Sequence, residues 1–217
     1  LEAFVRLGHG IIVFPGGVGT LEEILFLLGI LMAEGNAEVL IPLVFTEPAS
    51  SKGYFRRIDE FLVHVLGEEV RRYYQIVEDD PRQVARLMKA EMARVGANRR
   101  KSQDAYYYNW MLQIPREMKR PFQVSHENMA SLILSRELTP AELAINLRRA
   151  FSGIVSGNVK EHGLKLIREQ GPFQLRAEPD ISVAMDRLLR EFVTERRMKL
   201  AGKTYDPCYT VLSVGNS

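Results

Sequence analysis

The stretch Gly10-Ile11-Ile12-Val13-Phe14-Pro15-Gly16-Gly17-Val18-Gly19-Thr20-Leu21-Glu22-Glu23 decides the fold. Its first five residues are apolar, rich in β-branched side chains and bounded by glycine and proline, as in a strand covered on both faces of a parallel sheet. The glycines then lead into Leu21–Ala33, a proline-free run that is apolar nearly all round and reads as a buried helix. A strand running through glycines into a helix N-terminus offers free backbone N–H groups and the positive end of the helix dipole. Phosphate is the usual occupant of such a site.

Working outward, residues 39–45 read as a second buried strand, which Pro42 pushes toward an edge or a bulge. Residues 54–66 have a helical period, and 74–77 form a third short strand. Asp80-Pro81 supplies an N-cap and a proline at the first helical position, opening a helix to about Arg94. Strands alternating with helices give β-α-β units and a parallel sheet. Three strands are few for such a sheet. The chain also opens at Leu1 on what reads as the end of a helix, so further strands are expected upstream or from another chain, and the chain is expected to be part of a longer polypeptide.

Residues 97–102 read as a polar linker. The rest of the chain is mainly helical: a capping box at Thr139-Pro140-Ala141-Glu142 with a helix to about Phe151, then amphipathic helices over 158–170 and 180–199. The fold class is therefore α/β, with part of a Rossmann-like parallel sheet over 1–97 and a mainly helical region over 98–217. The aromatic cluster at 106–110 reads as core more readily than as a platform for a nucleobase.

Composition narrows the chemistry. A net charge of +2 gives no electrostatic grip on a nucleic-acid polymer or a membrane surface, and the arginine clusters read as solvated helix faces. The single Cys208 excludes an internal disulfide and a cysteine-based zinc site, and fits a reducing compartment. No apolar run approaches the ~20 residues of a membrane span, and no signal peptide is visible, so a cytoplasmic location is expected. His126-Glu127 opens like a zinc-protease motif but Ala130 stands where the second His belongs. Lys52 has no support as a pyridoxal-phosphate lysine, and no Gly-x-Ser-x-Gly elbow exists. No metal or cofactor is called for.

The loop itself can be sorted by what it lacks. Glu22 stands where a dinucleotide fingerprint needs its third glycine, and the loop has no Gly-Lys-Ser/Thr of the Walker type. A monophosphate fits better than either ligand. Thr20-Leu21-Glu22-Glu23 has two readings: a capping box with Thr20 as N-cap, or a paired carboxylate placed beside a phosphate for chemistry.

Residues 15–23 match the PGGxGTxxE signature, and on it the chain resembles the LOG-type phosphoribohydrolases, some of which carry the older label of possible lysine decarboxylases. Residues 125–130, 147–155 and 196–200 are similar to the C-terminal extension of the bacterial pyrimidine/purine nucleotide 5′-monophosphate nucleosidases, so the likeness runs through essentially the whole chain. The resemblance implies hydrolysis of the N-glycosidic bond of a nucleoside 5′-monophosphate, with Glu23 as the catalytic carboxylate. It further implies Gly16, Gly17, Val18, Gly19 and Thr20 around the phosphate and Glu22 on the ribose hydroxyls. His126 and Asn128 are separate candidates to reach the active site from the extension, although a lone His beside a Glu more often forms a satisfied surface or core pair. The family's essential arginine would lie just upstream of Leu1, and a homo-oligomer, dimer or tetramer, is expected. A cytokinin-type phosphoribohydrolase is the nearest rival, disfavoured by the long extension. A non-catalytic nucleotide sensor is another, disfavoured by retention of Glu23.

Overall fold

The computed structural model describes residues 2–105, 107–198, 200 and 205–214. Tyr106 of the aromatic cluster and Lys199 lie outside the described residues. Helix α1 (Glu2–Leu7) leads into β1 (Ile11–Val13), α2 (Val18–Leu31), β2 (Leu43–Glu47), α3 (Tyr54–Leu66), β3 (Gln75–Glu78) and α4 (Pro81–Ser102). The three strands form a parallel sheet in the order β1-β2-β3, with Ile12 opposite Val44 and Val44 opposite Gln75. This is the α/β, Rossmann-like arrangement expected. Pro42 does not push its strand to an edge: it ends just before β2, which is the central strand and buried along its whole length. The proline costs β2 no ladder bond because it precedes the paired register, and its carbonyl accepts from the Ile11 amide.

The linker expected at 97–102 is instead the last turns of α4, so residue 97 falls inside a helix. Its composition is polar, yet Val95, Gly96 and Arg99 form a buried face. The Arg99 guanidinium donates to the Gly8 and Ala105 carbonyls and to Asn109, whose own side chain donates to the Val5 carbonyl at 2.6 Å. A charged side chain satisfied in this way reads as linker in a composition scan and packs as core. The same bonds overturn the expectation for the aromatic cluster. Among the described residues of that cluster Asn109 is the buried one, while Tyr107 and Trp110 stand exposed.

The second half continues with α5 (His126–Ala130), β4 (Ile133–Leu134), α6 (Pro140–Val159), α7 (Glu161–Gln170), β5 (Phe173–Ala177), α8 (Pro179–Thr194) and β6 (Tyr209–Ser213). It is mainly helical, but it also holds a second three-stranded parallel sheet, ordered β4-β5-β6, that the sequence pattern did not reveal. The two halves share one hydrophobic core, in which α2 lies along α6 and Phe61 of α3 meets Phe151 of α6 edge-on at 5.8 Å.

The capping box opening α6 forms as expected. The Thr139 hydroxyl accepts from the Glu142 amide, and the Glu142 carboxylate, held below its ordinary pKa by the Thr139 hydroxyl and amide, closes the ring. Thr139→Ala is expected to cost about 1 kcal/mol, read as a lowered urea midpoint at unchanged slope.

Candidate active site

The loop after β1 enters α2 through Gly17, which is the N-cap in extended backbone with no side chain capping the first turn. The helix itself leaves its first amides without intrahelical partners, so the N–H groups of the Gly17–Gly19 turn are open to an anion. Of the two readings of Thr20–Glu23, the capping box does not form. Thr20 lies inside α2, three residues past the cap, and its hydroxyl folds back onto Gly16, where a Cβ would come within 2.0 Å of the Thr20 oxygen.

Adjacent residues on a helix project about 100° apart, and this separates the carboxylates. Glu23 is exposed and lines a cleft of about 220 Å³ together with Phe4, Ile12, Phe14, Thr20 and Phe26. Glu22 is half-buried and bonds Ser152 of α6, with Arg148 and Lys160 nearby. Burial raises the Glu22 pKa, outweighing Ser152 and the two cations, which act to lower it. Arg148, lowered by its own burial, lies 5.0 Å over the ring of Phe26, which also lines the Glu23 cleft. The second carboxylate therefore joins the loop half to the extension, and sequence reasoning did not single out its partners Arg148 and Ser152.

A raised carboxyl pKa has a defined sign. The fold favours the protonated form, so the stability contributed by Glu22 is greatest below the ordinary glutamate pKa of about 4.3 and is lost as pH rises through the folded value. Glu22→Gln, which stays neutral, is expected to gain on the parent protein between pH 4 and pH 7, as read from denaturant midpoints. A parent protein that gains on the variant across that range would contradict burial as the dominant influence.

The loop has a second wall that the sequence did not reveal. The segment after α8 runs against it, and a Cβ on Gly17 would meet the Arg197 carbonyl oxygen at 2.2 Å, so this approach requires glycine. The Arg197 side chain donates to the Gly16 carbonyl at 3.3 Å and to the Ser51 hydroxyl at 3.2 Å, and lies 4.6 Å over the Tyr54 ring. The Tyr54 hydroxyl is buried and lies against the Gly16 backbone; burial raises its pKa.

His126 and Asn128 sit on α5. The His126 ring meets the Gly171 carbonyl at 2.9 Å and packs, tilted, on the Phe173 ring at 4.7 Å, while Asn128 donates to the Gln123 carbonyl. These contacts lie within the extension. Among the described residues no cluster of three metal-ligating side chains forms, and no described helix is long and apolar enough to cross a membrane.

Residues 92–212 match the family described as "Pyrimidine/purine nucleotide monophosphate nucleosidase, C-terminal", and residues 1–88 match the one described as "Possible lysine decarboxylase". Two curated relatives, from Escherichia coli strain K12 and Escherichia coli O157:H7, are each 53% identical over 211 residues and carry the name pyrimidine/purine nucleotide 5′-monophosphate nucleosidase. The match covers 97% of this chain and 46% of each relative, so the chain spans about half the length of the curated relatives it matches.

Proposed function

This chain belongs to the pyrimidine/purine nucleotide monophosphate nucleosidase C-terminal family, and from that membership we propose that the protein hydrolyses the N-glycosidic bond of nucleoside 5′-monophosphates to free base and ribose 5-phosphate. The observation that carries the reading is the pairing of an uncapped helix N-terminus with a solvent-facing carboxylate on the next turn of the same helix. The Gly16–Thr20 turn holds the 5′-phosphate through backbone amides, which anchors the ribose beside Glu23.

In this reading the C1′–N bond breaks, water supplies the oxygen that joins C1′, and the water proton ends on the departing base. The sugar passes through an oxocarbenium-like state, whose positive charge a carboxylate stabilises. Glu23 does this while orienting the attacking water, accepting its proton and passing it on to the departing base. Glu22, expected on the ribose, takes a supporting role through its bond to Ser152 and holds α2 against α6. Phe14 and Phe26 give the cleft an apolar wall on which a base can rest. A homo-oligomer in the cytoplasm completes the reading.

The test is product identity. Full-length protein incubated with adenosine, guanosine, uridine and cytidine monophosphates is expected to yield free base and ribose 5-phosphate in equal amounts. Nucleoside plus inorganic phosphate, or binding with no product, would overturn it.

A further inference from the structure

The phosphate loop has an electrostatic deficit. A phosphate monoester carries about −1.5 to −2 charges at neutral pH, and the carboxylates of Glu22 and Glu23 come directly after the loop, while residues 15–23 contain no lysine or arginine. Backbone amides and a helix dipole supply only partial charges. Among the described residues Arg148 and Lys160 stand beside Glu22, and Arg197, on the turn after α8 and 174 positions beyond Glu23, reaches the loop backbone itself.

We propose that Arg197 supplies the cation of the 5′-phosphate subsite, an inference that rests on the nucleotide reading above. Three of the five guanidinium N–H groups are engaged, by Glu195, the Gly16 carbonyl and the Ser51 hydroxyl, which leaves two for a ligand oxygen. The guanidinium carbon rests 4.6 Å over the Tyr54 ring, a cation–π contact that holds the fork beside the loop. The Tyr54 side chain, only 1% exposed, has its hydroxyl against the same Gly16 backbone and forms a fixed wall of the loop. Glu195 does not cancel the charge. It is shared with Arg57, which also pairs with Glu191, itself paired with Arg187, so three guanidinium groups stand over two carboxylates. The Arg197 amide donates to the Phe192 carbonyl at 2.7 Å, which fixes the turn at the end of α8, and the Arg197 carbonyl packs over Gly17 of the loop. The phosphate subsite is thus built from both ends of the chain, with the extension contributing its charge.

The experiment uses full-length protein with ribose 5-phosphate and inorganic phosphate as ligands, alongside turnover of a nucleoside monophosphate. Arg197→Gln keeps an amide donor for Gly16 and removes the charge. It is expected to weaken ribose 5-phosphate roughly ten- to a hundredfold and to raise KM by the same factor, with kcat and Tm little changed. Arg197→Lys is expected to recover part of the loss, since it restores charge but not the fork. Wild-type affinity in Arg197→Gln would overturn the proposal, as would a fall in Tm and kcat with KM unchanged, the signature of a purely structural arginine. Should Arg197→Gln fail to fold, the lysine variant decides: weakened ribose 5-phosphate binding supports the assignment and unaltered binding overturns it. A parent protein that binds ribose 5-phosphate but releases no base would sink the nucleosidase reading while leaving the binding comparison intact.

Discussion

Glu23→Gln is expected to slow base release by roughly 10²–10⁴-fold in kcat, with KM for the monophosphate changed by less than about threefold. The substitution keeps the size of the side chain and removes only its negative charge and basicity. Glu23 is exposed on α2 and lines the cleft, so the change should leave folding untouched. In the proposed mechanism the loss falls on kcat, because the carboxylate would act on charge that develops at the sugar only in the transition state, whereas phosphate binding through the loop would be common to ground and transition states. Ribose 5-phosphate should therefore still bind the variant. An undiminished rate would remove Glu23 from the chemistry, and a large rise in KM at constant kcat would recast it as a binding residue.

Phe151→Ala is expected to cost about 3–5 kcal/mol and to lower Tm by roughly 6–20 °C for a chain of this size. Phe151 is fully buried on α6, and its ring meets Phe61 of α3 edge-on, so the cavity opens where the extension packs on the loop half. The core is continuous across that junction, from α2 and α3 into α6 and β5. The whole unfolding transition should therefore move as one. Two separable transitions, with only the later half shifted, would contradict a shared core.

Much of the fold was legible in the sequence where the signal is local. The strand–glycine–helix passage marked β1 and α2, the apolar period set the bounds of α3 at Tyr54 and Leu66, and Asp80-Pro81 and Thr139–Glu142 marked helix starts. The second sheet was not legible. Its strand β4 has only two residues, and β6 buries little beyond Tyr209. Strand β5 does alternate, with Phe173, Leu175 and Ala177 buried between exposed Gln174 and Arg176, but five residues between two helices were too short a window to weigh.

The site divides the same way. Glu23 and the glycines come from a contiguous motif. The partners of Glu22 and of the loop do not, because Ser152, Arg148 and Arg197 arrive from more than a hundred residues away and belong to helix faces and turns that read as ordinary solvated charge. Thr20 misled for a related reason. Its spacing to Glu23 fits a capping box, but the close fold of the loop starts the helix at Gly17 and leaves the hydroxyl against Gly16.

The most direct measurement is a crystal structure of the full-length protein with ribose 5-phosphate bound. The expected result has the phosphate oxygens within hydrogen-bond reach of the amides at the start of α2, Arg197 completing that shell, and C1′ facing the Glu23 carboxylate. A phosphate bound away from the Gly16–Thr20 turn, or a C1′ turned from Glu23, would contradict the assignment of this loop as the nucleotide site.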